Sequence, residues 1–167
     1  PDIDYAYYLL AVSHYNLIQD EKKDLGEIKK ARKYFNLLIK NYPNTDFAED
    51  AQFKLELIRE ILASKELYLA NYYLGREKWI PAMNRYKIIV NDYDTTIFIE
   101  EALYRLVELK YKLGLNEEAK KYALLLGYNY QSSIWYENSY KILNKNYEKL
   151  ENRNDLKKQN SIIKKFK

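Results

Sequence analysis

The residues in this chain that could do chemistry are few. His14 is the sole histidine, and with no cysteine anywhere a thiolate nucleophile, a thiolate metal site and a disulfide are all excluded. An imidazole acting as base or metal ligand needs a partner such as an activated hydroxyl or further ligands. His14 instead lies in the apolar run "IDYAYYLLAVSHYNLI" with no serine-bearing elbow beside it, so a satisfied, half-buried ring is expected. The acid pairs Glu49-Asp50, Glu100-Glu101 and Glu117-Glu118 are adjacent in sequence, which on a helix turns the two carboxylates about 100° apart. They suit first-turn electrostatics rather than a two-carboxylate mechanism. The 4 glycines are scattered, so no phosphate-cradling loop exists. No cofactor, no metal and no enzymatic activity are expected.

The elements that must position the remaining polar residues announce themselves by repetition. "YPNTDFAEDAQFKL" (Tyr42 to Leu55), "YDTTIFIEEALYRL" (Tyr93 to Leu106) and "YQSSIWYENSYKIL" (Tyr130 to Leu143) share one fourteen-residue frame. Each places Tyr first, Thr or Ser fourth, an aromatic at the sixth place, an acid in the next few residues and a closing Leu. Thr45, Thr96 and Ser133 are expected to cap helix N-termini, with Glu49, Glu100 and Glu137 in the first turn where the helix dipole favours an acid. Phe47, Phe98 and Trp135 are expected to wedge against the preceding helix. Between the corners stand Ala31, Ala82 and Ala119, small residues for close helix approach. Phe35 and Tyr86 follow two of them four residues on, and Ala123 with Tyr122 just before it marks the third.

Periodicity gives helices over residues 3–18, 28–40, 46–75, 78–91, 97–113, 116–127 and 133–150. Gln19 to Glu27, with Gly26, reads as a polar connection. The stretch from Asp46 to Gly75 has no proline or internal glycine and predicts one helix of about 30 residues, near 45 Å long. Its inward residues are expected to be Phe53, Leu57, Ile61, Leu62, Tyr68, Leu69, Tyr72 and Tyr73. Only 4 Gly and 3 Pro among 167 residues also favour long helices over a sheet. The result is an all-α, tetratricopeptide-repeat-like α-solenoid of stacked antiparallel helix pairs with one long helix. The corners recur 51 and 37 residues apart, against about 34 for a regular repeat, the surplus belonging to the long helix.

Two regions follow: residues 1–150 as the repeat array and 151–167 as a basic C-terminal tail. The formal charge of +4 resides in that tail, which holds Arg153, Lys157, Lys158, Lys164, Lys165 and Lys167 against Glu151 and Asp155. A neutral body argues against nucleic acid. The tail reads as a solvated extension, or as a short docking helix using Leu156, Ile163 and Phe166. No apolar run approaches the ~20 residues of a membrane span. Because the chain starts at Pro1, it is expected to be cut from a longer protein, with any targeting or anchoring segment preceding it.

At "DYAYYLLAVSHY", at the run from Ala102 to Leu143, and above all at "ANYYLGREKWIPAMNRY" (Ala70 to Tyr86), the chain resembles the BamD family of outer-membrane protein assembly factors. The resemblance spans about Asp4 to Leu143; the family's paired Tyr, basic turn, aromatic, Ala and Asn-Arg are all present. At the second and third corners the family's Pro is replaced by Asp94 and Gln131. The resemblance implies a periplasmic-side lipoprotein of the outer membrane. Its lipidated Cys lies N-terminal to this sequence and supplies the only membrane attachment. It implies a scaffold beside the barrel protein BamA, binding BamA's periplasmic (POTRA) domains. Other Bam lipoproteins and unfolded outer membrane proteins would be further partners. Arg85 falls on the Asn-Arg motif and is expected to contact BamA, as its planar fork can grip a carboxylate. Asn84, Arg76 and Lys78 are grouped with it. Arg85 could instead pair with a helix acid such as Glu100, Glu101 or Glu108, and Asn84 could be a cap or local hydrogen bond. Tyr72, Tyr73 and Trp79 are expected in the core. The competing readings are a Tol-Pal coordinator-like adaptor and a peptide-binding co-chaperone. The latter would need bases spaced along consecutive inner helices, and no such set stands out in the sequence.

Overall fold

In the computed structural model of the chain, the described residues are 3–18 and 25–144. Among them are seven helices and no strand: α1 (Ile3–Asn16), α2 (Gly26–Asn41), α3 (Asp46–Leu74), α4 (Trp79–Asp92), α5 (Ile99–Lys112), α6 (Asn116–Asn129) and α7 (Ile134–Leu143). The tail from 151 and the expected extension of α7 to 150 lie outside the described residues, as does most of the 19–27 connection. Gly26 belongs to α2 rather than to that connection. The chain divides after Ile99 into two compact units.

In the first unit, side-chain pairs show that successive helices run antiparallel. His14 near the end of α1 meets Glu27 at the start of α2, and Glu66 and Asn71 in the second half of α3 meet Arg85 and Tyr86 of α4. The core gathers Ala11, Ile28, Ala31, Phe35, Leu38, Ala51 and Ile58. Burying a ring such as that of Phe35 stabilises by about 1.5–3 kcal/mol. Ala31 and Ala82 are fully buried, and so are Phe35 and Tyr86 four residues later.

The long helix α3 runs unbroken for 29 residues through Ala63 and Ser64. Its buried face differs from the one expected. Ala48, Ala51, Ile58, Ala63 and Ala70 point inward, while Phe53 is 63% exposed and Tyr68 and Tyr72 also lie outside. Leu57, Ile61, Leu62, Leu69 and Tyr73 are half-buried. A helix contacted by α1 and α2 along one part and α4 along another needs alanines where backbones approach closely. Its bulky side chains therefore move to the flanks.

The repeated corners share one geometry. Tyr42, Tyr93 and Tyr130 terminate α2, α4 and α6 with φ of −138°, −133° and −138°. Their N–H groups donate to the carbonyls of Leu38, Ile89 and Leu126, residues whose side chains are fully buried. Asp94 and Gln131 thus serve in the same turn as Pro43. Thr45 caps α3, its hydroxyl accepting from Ala48 N–H at 3.2 Å, and Ser133 caps α7, accepting from Trp135 N–H at 3.1 Å. Thr96 departs from its expected role: like Thr45 it donates its hydroxyl to the Tyr carbonyl three residues back, at 2.7 Å, but that hydroxyl accepts from no helix N–H among the described residues, and α5 begins three residues later at Ile99. Glu60 of α3 accepts the Ile97 N–H at 3.3 Å inside that extra turn.

The wedging aromatics reach further back than the preceding helix. Phe47 of α3 packs on Tyr5 and Tyr8 of α1, with ring centroids 5.3 and 5.1 Å away. Trp135 of α7 packs on Tyr104 of α5 at 5.2 Å. Each therefore ties its helix to the one two places earlier. In the second unit, Val107, Ala119 and Ala123 form a buried cluster with Tyr111, Tyr122 and Leu143 around it. The buried Lys110 ammonium is matched by Glu118 of α6 at 2.7 Å.

Candidate functional site

The corner between α3 and α4 carries the polar residues singled out above. Gly75 N–H closes onto the Asn71 carbonyl at 2.9 Å, and Lys78 N–H reaches back to Tyr73 O at 2.9 Å. Glu77 sits in the left-handed region at φ 57°, where the corresponding α5–α6 corner has Gly114 at φ 77°. This tight turn projects Arg76 and Lys78 into solvent. The Arg76 guanidinium lies over the Tyr72 ring, 4.3 Å from its centroid. Tyr72 packs edge-on against Tyr73 at 5.7 Å. Tyr73 and Trp79 are half-buried, but Tyr72 is exposed and not a core residue. Its ring holds a cation instead of filling a seam.

Two turns into α4, Arg85 Nη1 donates to Glu66 Oε2 at 3.0 Å. The Arg85 side chain remains 37% exposed, and Glu66 is 16% exposed. Its acid is therefore on α3; Glu101 and Glu108 are engaged by Arg105 at 3.7 and 2.9 Å. One nitrogen of the fork is held by Glu66, which restrains the guanidinium while its other N–H groups stay available. Asn84 is exposed in the middle of α4, neither a cap nor, among the described residues, a side-chain hydrogen-bond partner. No side-chain hydrogen bond or ion pair links Arg76, Lys78, Asn84 and Arg85 to one another among the described residues. Beneath them, the Tyr86 hydroxyl donates to Asn71 Oδ1 at 2.5 Å and locks the two helices.

Glu66 and Asn71 were missed by sequence reasoning, although a signal existed. In an antiparallel hairpin, residues nearly equidistant from the turn face each other, and Glu66 and Arg85 are so placed about Arg76. His14 behaves as expected of a satisfied ring. Its Nδ1 meets Glu27 Oε2 at 2.6 Å, and it stacks on Tyr34 with 5.7 Å between centroids. Lys30 first, and His14 second, hold the Glu27 carboxyl below its usual range. Among the described residues no group of three His, Cys, Asp or Glu could hold a metal ion, and no helix is long and apolar enough to cross a membrane.

With seven helices folded into successive hairpins among the described residues, the chain falls in the class of all-helical repeat proteins. Residues 1–125 match the family model of YfiO, described as an outer membrane lipoprotein. The chain is 43% identical over 147 residues to the outer membrane protein assembly factor BamD of Rickettsia prowazekii, covering 88% of this chain and 58% of that protein. It is 36% identical over 146 residues to BamD of Caulobacter vibrioides, covering 87% and 48% respectively. The chain thus spans about half the length of these curated relatives. It belongs to the YfiO/BamD family, and that membership places it at the outer membrane, on the periplasmic side.

Proposed function

We propose that this chain is a non-enzymatic scaffold of the outer-membrane β-barrel assembly machinery. In this reading it binds the periplasmic POTRA domains of the barrel protein BamA through the α3–α4 corner. It works beside other Bam lipoproteins as unfolded outer membrane proteins are folded and inserted. A lipid anchor N-terminal to Pro1 supplies the attachment to the membrane, and no cofactor or nucleic acid takes part. The relatives' shared description as assembly factors supports the process. The observation that carries the site is the Arg85–Glu66 pair, whose guanidinium is oriented at 3.0 Å yet 37% exposed. An oriented, partly desolvated fork loses less freedom on gripping a partner's carboxylate than a mobile one. Arg76, Lys78 and Asn84 then supply a polar rim.

The test is direct binding of the full chain to soluble BamA periplasmic domains. Saturable association that weakens with salt supports the reading, as expected of a charged contact. A folded chain that gives no association contradicts it.

A further inference from the structure

In the second unit, α6 and α7 present an apolar face to solvent. Leu124 and Tyr128 of α6 are 71% and 86% exposed, and Ile134 of α7 is 65% exposed. Between the two helices a hollow of about 320 Å³ is lined by Ala123, Leu124, Tyr136, Tyr140, Leu143 and Asn144. A second hollow, of about 670 Å³, shares Ala123, Leu124 and Tyr136 and continues to Tyr128 and Gln131. Together they form a groove that runs from Asn144, where α7 ends, back to the α6–α7 corner. Its floor makes no polar demand on an occupant. Ser139 is fully buried and its hydroxyl donates to the Tyr136 carbonyl at 2.8 Å. The Tyr136 ring lies over Gly127, where a Cβ would stand 2.7 Å from its Cε2. Lys120 at the rim is held by Glu117 at 2.7 Å.

The order of the helices indicates what belongs in this groove. Each Tyr-x-x-Thr/Ser corner opens the first helix of a hairpin, α3 before α4 and α5 before α6. The third corner opens α7, whose second helix is not among the described residues. A stacked repeat buries its apolar face against its neighbours, and a terminal one needs a cap with a polar outer side. The sequence beyond Asn144 carries that pattern. On a helix, Leu156, Ile162, Ile163 and Phe166 fall within an arc of about 120°, with Lys157, Lys158, Lys164 and Lys165 on the other side. The lengths also agree, since Leu156 to Phe166 would span about 16 Å and α7 spans about 15 Å. Residues 145–155 can bridge up to about 40 Å, which exceeds the groove. A short tether of this kind supplies an effective concentration on the order of mM. We propose that the segment Leu156–Phe166 docks by its apolar side in the α6–α7 groove, antiparallel to α7, and closes the last hairpin with a lysine-bearing outer face. The proposal uses neither the Arg85 face nor the barrel protein.

The chain has no cysteine, so Ser161→Cys gives the full chain a single site for a nitroxide label on the polar side of the segment. In the isotope-labelled chain, the amide peaks of Leu124, Leu125, Tyr140 and Leu143 are expected to lose about half or more of their intensity relative to the reduced label. Because Leu124 is exposed, Leu124→Asp leaves the fold in place, and it is expected to restore those peaks. Phe166→Asp, on the other side of the contact, is expected to do the same. A mixture of spin-labelled chain without isotope and isotope-labelled chain without nitroxide is expected to show no loss. Full intensity at the groove in the first sample, or a loss that survives both Asp variants, overturns the proposal. A loss in the mixture also overturns it, because the occupant is then a second copy of the chain.

Discussion

At the residue scale, Glu77 is the most informative position because its backbone contradicts its side chain. A left-handed φ of 57° costs a residue with a Cβ about 1–2 kcal/mol, and the matching corner answers the same demand with Gly114. Glu77→Gly is therefore expected to stabilise the chain by about 0.5–1 kcal/mol after glycine's greater unfolded-state freedom is subtracted. Chemical denaturation checks this, and a variant less stable than the parent shows that Glu77 makes a compensating contact. Tyr8 supplies a pH-dependent case. Its hydroxyl donates to Asp50 at 2.6 Å, and that hydrogen bond, with burial and the Asp50 charge, pushes the phenol up to about 12. The folded-state value lies above the unfolded one, about 10. The contribution of this group is thus complete below pH 10 and is lost as pH rises from 10 to about 12. The parent is expected to lose stability across that window faster than Tyr8→Phe, as measured by denaturation midpoints at several pH values. Parallel pH profiles exclude the coupling.

At the element scale, packing turns on alanines at helix seams. Ala119 is fully buried beside Val107 and Ala123. Ala119→Leu should overpack this seam and cost about 1–3 kcal/mol. If thermal unfolding places the variant within a degree of the parent, the seam is looser than described. These alanines were legible in the sequence because each precedes a corner by the same offset, and the corners were legible because Tyr-x-x-Thr/Ser satisfies the carbonyls and N–H groups of helix ends. The buried face of α3 was not legible. Phe53, Tyr68 and Tyr72 outweigh Ala48, Ala51, Ala63 and Ala70 in any reading of apolar size, yet only the alanines permit the close approach. The reach of Phe47 and Trp135 to α1 and α5 was hidden for a related reason. It depends on how hairpins stack, which no local spacing records.

At the scale of the whole molecule, the all-helical repeat fold and the family could be read from the chain, because corner spacing and the Ala70–Tyr86 motif survive without any tertiary information. The pairing of Arg85 is legible only once α4 is folded back along α3, which sets Glu66 and Arg85 nearly equidistant from the turn. That pairing changes how the site must be probed. Arg85→Glu, the obvious reversal, would set two carboxylates side by side and confound binding with stability. The decisive measurement is a calorimetric titration of soluble BamA periplasmic domains with the parent, Arg85→Ala and Glu66→Gln. Both variants lose the same internal ion pair, so both fall in stability together, but only Arg85→Ala removes the group proposed to grip the partner. Affinity is expected to drop at least about tenfold, corresponding to some 1.4 kcal/mol or more, in Arg85→Ala. In Glu66→Gln, whose amide oxygen still accepts from Arg85 and orients the fork while leaving its charge unopposed, affinity is expected to hold or improve. Equal losses in the two variants, or parental affinity in Arg85→Ala, would contradict the account and leave Arg85 a structural residue.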